Sequence, residues 1–196
     1  MEVLAVVLFM SAWAVGVGAW CLAIVETVGM WQFWSWVYRC GFKLIDENLS
    51  VAIRPNLPSQ VIDLPTVKAK VRPNNGILFR APLGFKLYTP LPIKATIVVS
   101  SGNIRIVGRI PVGFVAFLAA WLVAWTIGGT MMAIKGSATE AALSVLLGWG
   151  FAATIAAISL PIELRRIGAA KAALADYLGK AGQSFHEAND TRHRRS

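Results

Sequence analysis

The chain has 196 residues, of which 56% are hydrophobic and only 15% are charged, and its formal net charge is +9. This composition, with a mean hydropathy of +0.60, sets the chain apart from water-soluble proteins and is typical of a membrane protein with several spans. The length leaves room for a few spans and one small domain outside the membrane. The positive charge is uneven, because residues 39–109 hold eleven Lys and Arg against three acids.

Residues 1–40 are predicted to form a first transmembrane helix with an aromatic end. The stretch Val3–Val25 contains no charged residue and is long enough to cross about 30 Å of hydrocarbon. Ala12 and Gly16 are small and lie four residues apart, which favours a helix-packing face. The aromatic residues between 31 and 38 precede Arg39, so the cytoplasmic interface is predicted near residues 27–40.

Glu26 is the one acid that could lie within the bilayer. If the span starts at Val3, the carboxylate comes about 34 Å along the helix and reaches the interface, where its charge costs little. If the span is shifted towards Trp31, the carboxylate is immersed and must be paired or functional. The first interpretation is favoured, since no Lys, Arg or His inside a span offers a partner.

Residues 41–110 change character and predict a small antiparallel all-β domain, a sandwich or barrel of about five to seven strands. Short runs such as Val67–Arg72 alternate apolar and basic residues, as a half-buried strand does. Pro73–Gly76 is a predicted hairpin turn, because Asn and Gly tolerate the positive φ that a tight turn needs.

The residues on the outward-facing side of these strands are basic, and this face is predicted to bind anionic lipid or an acidic partner. A solvated face that only satisfies the topology rule is the alternative, and nucleic acid is not expected because the aromatic residues do not interleave with the bases. Two arginines that follow the last span join this predicted surface. Its members are Lys68, Lys70, Arg72, Arg105, Arg109, Arg165 and Arg166.

Residues 111–163 predict a transmembrane helical hairpin. Ile110–Ile134 and Ala141–Ile162 contain no charged residue and are joined by a turn too short for anything else. Each helix carries a stripe of small residues at every fourth position, and the two stripes are expected to face each other. The stripes are Ala116, Ala120, Ala124 and Gly128 in the first helix and Ser144, Gly148, Ala152 and Ala156 in the second.

The C-terminal part is divided into an amphipathic helix over residues 164–186 and a disordered basic tail over residues 187–196. Apolar residues recur at three and four positions from Leu164 onward, with charged residues between them. Such a helix lies on the membrane surface or packs on the β domain or a partner. The tail is polar and ends in a basic run.

Charge orients the predicted spans. Lys and Arg are concentrated in residues 39–109 and 163–196, whereas the turn at 135–140 holds one Lys and one Glu. Basic loops stay in the cytoplasm, so three spans place the N-terminus outside and the β domain and C-terminus inside a bacterial-type inner membrane.

Reactive groups are sparse in this sequence. Cys21 and Cys40 are not arranged as a metal site, and the two histidines lie in the last 11 residues. No phosphate loop or hydrolase motif occurs, so we expect no enzyme, cofactor or metal. The chain is interpreted as an accessory or scaffold subunit that packs with other integral membrane subunits, an energy-transducing complex being one candidate. The alternative is an oligomeric component for transport of a small solute or ion, and homo-oligomers fit either role.

Overall fold

A computed structural model describes residues 2–49, 59–72, 76–82, 91–100 and 103–193. The described chain contains four helices and six strands. The helices are α1 (Glu2–Trp31), α2 (Ser35–Arg39), α3 (Val112–Ile134) and α4 (Ala138–His193). The strands are β1 (Phe42–Leu49), β2 (Val61–Leu64), β3 (Val67–Val71), β4 (Gly76–Arg80), β5 (Lys94–Ser100) and β6 (Asn103–Ile110).

Three of the helices are long and apolar enough to cross a membrane, as the sequence predicts. They are α1, α3 and the first part of α4, with candidate segments at Val3–Trp31, Val112–Ile134 and Ala138–Gly179. Helix α3 packs against both α1 and α4, so it is the central helix of the three. The chain is therefore a membrane protein with a helical membrane part and a β domain.

Helix α4 runs through Pro161 without a break, although the sequence predicted that the hairpin ends at residue 163 and a separate helix begins at 164. Proline removes one backbone hydrogen bond from a helix, but here the residues that follow it are held by packing. Ile167, Ala170, Leu174 and Leu178 are buried and pack on the sheet. The sequence allowed this amphipathic segment to lie on the membrane surface, on the β domain or on a partner. The structure shows that it packs on the β domain. The backbone is helical as far as His193, where a disordered tail was predicted from residue 187.

The six strands form one antiparallel sheet in the order β1-β6-β5-β4-β3-β2. The predicted sandwich or barrel was wrong, because the sheet does not close and no second sheet lies over it among the described residues. The layer that covers its apolar face is α4. Residues 73–75 of the predicted hairpin turn lie outside the described residues, but the strands on either side, β3 and β4, pair as antiparallel neighbours.

The core of the β domain lies between this apolar face and α4. Large side chains fill it, and burial of their apolar surface stabilises the domain. From the sheet it contains Ile62, Val67, Ala69, Val71, Ile77, Phe79, Ile93, Ala95, Ile97 and Ile106, and from α4 Ile167, Ala170, Leu174 and Leu178.

Candidate functional site

The other face of the sheet carries a row of five basic residues across five neighbouring strands. Strand register places Lys43 opposite Arg109, Arg109 opposite Lys94, Lys94 opposite Arg80, and Arg80 opposite Lys68. Like charges at directly opposed positions destabilise a sheet unless other groups offset them. The groups that surround this basic row therefore decide what it can do.

Lys94, the central residue of the row, forms an ion pair with Glu26 of α1. Its Nζ lies 3.2 Å from Glu26 Oε1, and the two side chains are 0% and 1% exposed. Burial lowers the pKa of Lys94 below its usual value, and the neighbouring Glu26 carboxylate opposes that shift. An ion pair buried this completely holds its two elements in one arrangement, because separating the charges leaves each of them desolvated.

Glu26 also caps the start of α3. Its carboxylate accepts hydrogen bonds from the backbone N–H of Val112 at 3.2 Å and of Gly113 at 2.7 Å. The first N–H groups of a helix lack intrahelical partners and carry partial positive charge, so a carboxylate is a favourable cap. Glu26 thus joins α1, α3 and β5 at a single point.

The backbones of α1 and α3 approach closely beside this cap. A Cβ atom added at Gly113 would lie 2.4 Å from the backbone nitrogen of Ala23 and 2.7 Å from its Cα. Only glycine fits this position without moving a helix. Ala23 is one turn before Glu26, so the contact at Gly113 brings the carboxylate to the end of α3.

Glu26 is therefore buried inside the protein and paired, although the sequence indicated no basic partner for it, and its predicted depth at the membrane interface stays a prediction. The predicted spans contain no basic partner for Glu26. The partner instead comes from the β domain, because β5 begins at Lys94 close to the end of α1. A sequence shows which residues are near along the chain, and Glu26 and Lys94 are 68 residues apart.

Arg80, next to Lys94 in the basic row, closes the end of α1. Its Nε donates to the carbonyl of Met30 at 3.1 Å and its Nη1 to the carbonyl of Ala81 at 3.3 Å. The guanidinium also lies over the ring of Phe33, 5.5 Å from the centroid. Burial lowers the pKa of Arg80, so these contacts replace water around a desolvated cation.

Tyr38 of α2 completes this corner. Its hydroxyl donates to the same Met30 carbonyl at 3.2 Å, and its ring stacks on Phe33 with centroids 5.9 Å apart. Burial raises the pKa of Tyr38, and the Arg80 guanidinium partly offsets the increase. The end of α1 and α2 together cover this part of the sheet.

A second buried carboxylate, Glu163 of α4, fixes the opposite side of the sheet. Its Oε2 accepts a hydrogen bond from the backbone N–H of Ile93 at 3.1 Å, and its Oε1 lies 2.6 Å from Nη1 of Arg166. Arg166 also donates to the carbonyl of Pro82. Nothing in the sequence around Glu163 indicates this contact with Ile93, which lies 70 residues away along the chain.

Only some residues of the predicted anionic-lipid surface lie together on one surface of the structure. Register and alternation place Lys68, Lys70, Arg105 and Arg109 on the same sheet face, with Arg72 one step beyond β3. Two members have acidic partners at the surface. Lys68 Nζ is 2.8 Å from Asp63, and Arg105 donates to both oxygens of Asp46 at 2.5 Å.

The two arginines of α4 differ from each other. Arg165 is exposed, whereas Arg166 is half-buried and forms contacts with Glu163 and Pro82.

The acids of β1 also pair with basic residues. The Arg105 hydrogen bond holds the pKa of Asp46 well below its usual range, with Lys43 contributing. Lys171 and Glu47 form a further ion pair between α4 and β1.

The predicted helix-packing residues divide between two interfaces. On the α1 side, Ala12 and Gly16 are buried, and a Cβ at Gly16 would lie 3.7 Å from that of Ala120. Ala124 is buried, Ala116 is half-buried, and Gly128 approaches Phe9 of α1. The stripe of α3 thus faces α1 instead of the stripe of α4, because α3 is the central helix.

The stripe of α4 packs on a different side of α3. Ser144, Gly148 and Ala152 are buried, and Ala156 is half-buried. A Cβ at Gly148 would lie 2.5 Å from the Cβ of Trp125, so a tryptophan of α3 fills the space that this glycine leaves. Gly129, outside both predicted stripes, makes a second close approach, to Val145 of α4.

Hydroxyl groups in the membrane helices bond to their own backbone. Thr126, Thr130 and Thr154 each donate to the carbonyl four residues earlier, at 2.7–2.8 Å. A cavity of about 550 Å³ lies between α1 and α3, and its walls are apolar and aromatic. The described residues contain no cluster of three or more His, Cys, Asp or Glu that could hold a metal ion.

No family model, curated protein or solved structure gives a significant match to this chain. The structure has one basic sheet face and three membrane helices joined to that sheet through the buried carboxylates of Glu26 and Glu163.

Proposed function

We propose that the protein is a non-catalytic accessory or scaffold subunit, which packs its helices in a larger complex of the bacterial-type inner membrane and presents the sheet on the cytoplasmic side. The observation that carries this proposal is the Glu26 junction. One carboxylate bonds Lys94 of the sheet and the backbone of α3 while it belongs to α1. The sheet is thereby fixed to the membrane helices and does not swing on a linker.

A rigid connection suits a subunit that positions partners. Surfaces held in a fixed relative orientation favour binding, because ordering a mobile domain on binding costs conformational entropy. Here α4 contributes to the membrane part with its first turns and to the sheet core with Ile167, Ala170, Leu174 and Leu178. A partner that contacts both the membrane helices and the sheet meets one preformed surface.

The basic sheet face is the surface proposed for docking on anionic lipid or on an acidic region of a partner. Lys70, Arg72 and Arg109 are half-buried, and each lies on the side of the sheet away from α4. Basic residues near a membrane surface gain about 1 kcal/mol each from anionic headgroups. The orientation follows from the same charges, since basic segments stay in the cytoplasm.

The transport alternative has weaker support. A conduction path needs polar side chains or interrupted helices inside the membrane. Thr126, Thr130 and Thr154 are bonded to their own helices, and the lining of the cavity between α1 and α3 is apolar. These observations favour a packing role for the spans.

The first test is purification of the full-length chain from native membranes in a mild detergent, followed by native gel electrophoresis and mass spectrometry. We expect a complex of defined mass with other integral membrane proteins in fixed stoichiometry. Charge reversal at Lys70 and Arg72 should weaken that complex, whereas Lys135→Glu at the opposite end of the hairpin should leave it intact. A chain that migrates alone and supports solute flux in liposomes contradicts the proposal.

The second test concerns orientation. Cys40 is exposed and follows α2 on the sheet side of the membrane helices. A membrane-impermeant maleimide should label Cys40 in inverted vesicles and leave it unlabelled in intact cells; Cys40→Ser identifies its share of the signal. Labelling of Cys40 from outside intact cells would reverse the proposed orientation.

A further inference from the structure

Helix α2 follows the end of the first membrane helix, and its two sides differ. Val37 and Tyr38 are buried and pack with Leu78 of the sheet. Trp36 and Arg39 lie three positions apart, which makes them neighbours on the surface of a helix. Trp36 is 43% exposed and Arg39 is also exposed. An aromatic ring and a base therefore face away from the sheet together.

Exposed tryptophans surround this end of α1. Trp31, the last residue of α1, is 55% exposed, and Trp34 is 38% exposed. The ring centroids of Trp34 and Trp36 are 6.3 Å apart. Exposed apolar patches mark contacts with a partner or a membrane, and Trp is enriched at the level of the lipid headgroups. Because a membrane span leads directly into this cluster, its position favours contact with the membrane surface.

Arg109 of β6 brings a second base to the same place. Gly41, two residues after Arg39, has a φ of 123° and packs closely on β6. A Cβ atom added at Gly41 would lie 3.2 Å from the Cβ of Arg109. Arg109 is also two residues before Pro111, the N-cap of α3. Arg39 and Arg109 thus lie on neighbouring segments, close to the ends of two membrane helices.

The charges of these two arginines are not offset by acids. Among the described residues, no acidic side chain lies within ion-pair distance of Arg39 or Arg109. Burial lowers the pKa of Lys94, and the charge of Arg109 contributes to the decrease, so Arg109 lies near the buried ion pair. Glu26 already binds Lys94, and Asp46 binds two other bases. Two positive charges therefore remain available at the membrane end of the sheet.

We propose that Arg39 and Arg109 bind the phosphate of one anionic phospholipid, with Trp34 and Trp36 beside its glycerol and the start of its acyl chains. Guanidinium groups suit this role, because their forked donors match the oxygens of a phosphate. The tryptophans favour a lipid over an acidic protein segment, because a lipid brings apolar chains together with its anion. This inference rests on the docking of the basic face proposed above and names its occupant, but it does not depend on the scaffold role.

The test titrates the purified full-length chain in a neutral detergent with dioleoylphosphatidylglycerol and counts bound lipid by native mass spectrometry. We expect one retained lipid per chain, and weaker retention of dioleoylphosphatidylcholine, whose headgroup carries no net charge. Arg39→Gln and Arg109→Gln should each weaken binding of phosphatidylglycerol about fivefold, the effect of one base near an anionic headgroup. Glycerol 1-phosphate, a soluble source of the same anion, should not displace the lipid.

The matched control is Lys135→Gln, which removes an exposed base at the other end of α3 and should leave lipid binding unchanged. Arg39 is exposed, so Arg39→Gln should keep the thermal unfolding temperature of the unaltered protein. Equal retention of the two lipids, equal loss in Arg39→Gln and Lys135→Gln, or displacement by glycerol 1-phosphate would overturn the proposal.

Native gel electrophoresis of the membrane complex separates this inference from the scaffold proposal. If Arg39→Gln weakens the complex and leaves lipid retention unchanged, the surface binds an acidic partner and the lipid site is wrong. If the chain migrates alone but retains phosphatidylglycerol through Arg39 and Arg109, the scaffold function is wrong and the lipid site stands.

Discussion

The two faces of the sheet are held by different kinds of contact. The face towards α4 is covered by Ile167, Leu174 and other apolar side chains, and burial stabilises it in proportion to the area removed from water. The opposite face carries the basic row and is covered at one end by the last turn of α1 and by α2. There the contacts are few and directional. Lys94 forms an ion pair with Glu26, and Arg80 donates a hydrogen bond to the Met30 carbonyl. The apolar face tolerates gradual change, whereas the basic face depends on single groups.

The largest expected loss of stability comes from a substitution on the basic face. Glu26→Gln keeps an acceptor for the Gly113 N–H but leaves Lys94 buried without its counter-charge, so the free energy of unfolding should fall by about 3–5 kcal/mol. Denaturation of the purified protein in detergent measures the change. Asp63→Asn is the matched control, because Asp63 pairs with Lys68 in the same row but is 62% exposed. That variant should lose less than about 1 kcal/mol.

A double substitution sharpens this result. Glu26→Gln with Lys94→Met removes both buried charges, while the amide oxygen at position 26 still accepts a hydrogen bond from the Gly113 N–H. We expect the double variant to recover most of the stability that Glu26→Gln loses. If Glu26→Gln and Asp63→Asn behave alike, the buried pair does not hold the sheet to the membrane helices.

The second largest expected loss of stability comes from a substitution on the apolar face. Leu174→Ala removes a side chain that is 1% exposed and should cost about 2–5 kcal/mol through lost burial and the cavity that remains. Leu164→Ala on the same helix is the control, since Leu164 is 40% exposed. Thermal unfolding should separate the two variants clearly. Equal destabilisation would mean that α4 does not cover the sheet.

The difference between the faces also explains what the sequence could and could not predict. Alternation in Val67–Val71 and the three-and-four spacing of Ile167, Ala170 and Leu174 predicted a strand and an amphipathic helix, and both exist. These patterns show which side of an element is apolar. They do not show that the two apolar sides meet each other, so a second sheet was expected where α4 lies.

Directional contacts between distant residues leave no periodic signal. Lys94 lies on the basic sheet face that alternation predicted, but alternation could not show that α1 covers this residue. Glu26 and Glu163 both occur next to apolar runs, as ordinary interfacial acids do. A buried acid needs a base or hydrogen-bond donors as partners, but nothing in the sequence distinguishes Lys94 from the other ten bases of residues 39–109.

The smallest expected effect concerns Tyr38, where the basic face is sensitive to pH. Burial raises the pKa of Tyr38 above its ordinary value of 10.0. Above pH 10 the unfolded chain loses this proton while the folded chain keeps it, so stability should fall as pH rises beyond 10 and should be unaffected by this group below it. Tyr38→Phe loses one hydrogen bond to Met30, worth about 1 kcal/mol at neutral pH, and removes this dependence on pH.

Other groups titrate in the same pH range. The informative quantity is therefore the difference in unfolding midpoint between the unaltered protein and Tyr38→Phe, measured from pH 9 to 11. That difference should shrink as pH rises, since only the unaltered protein has Tyr38 to ionise. A constant difference would mean that the Tyr38 hydroxyl is accessible to water and that α2 does not seal this end of the sheet.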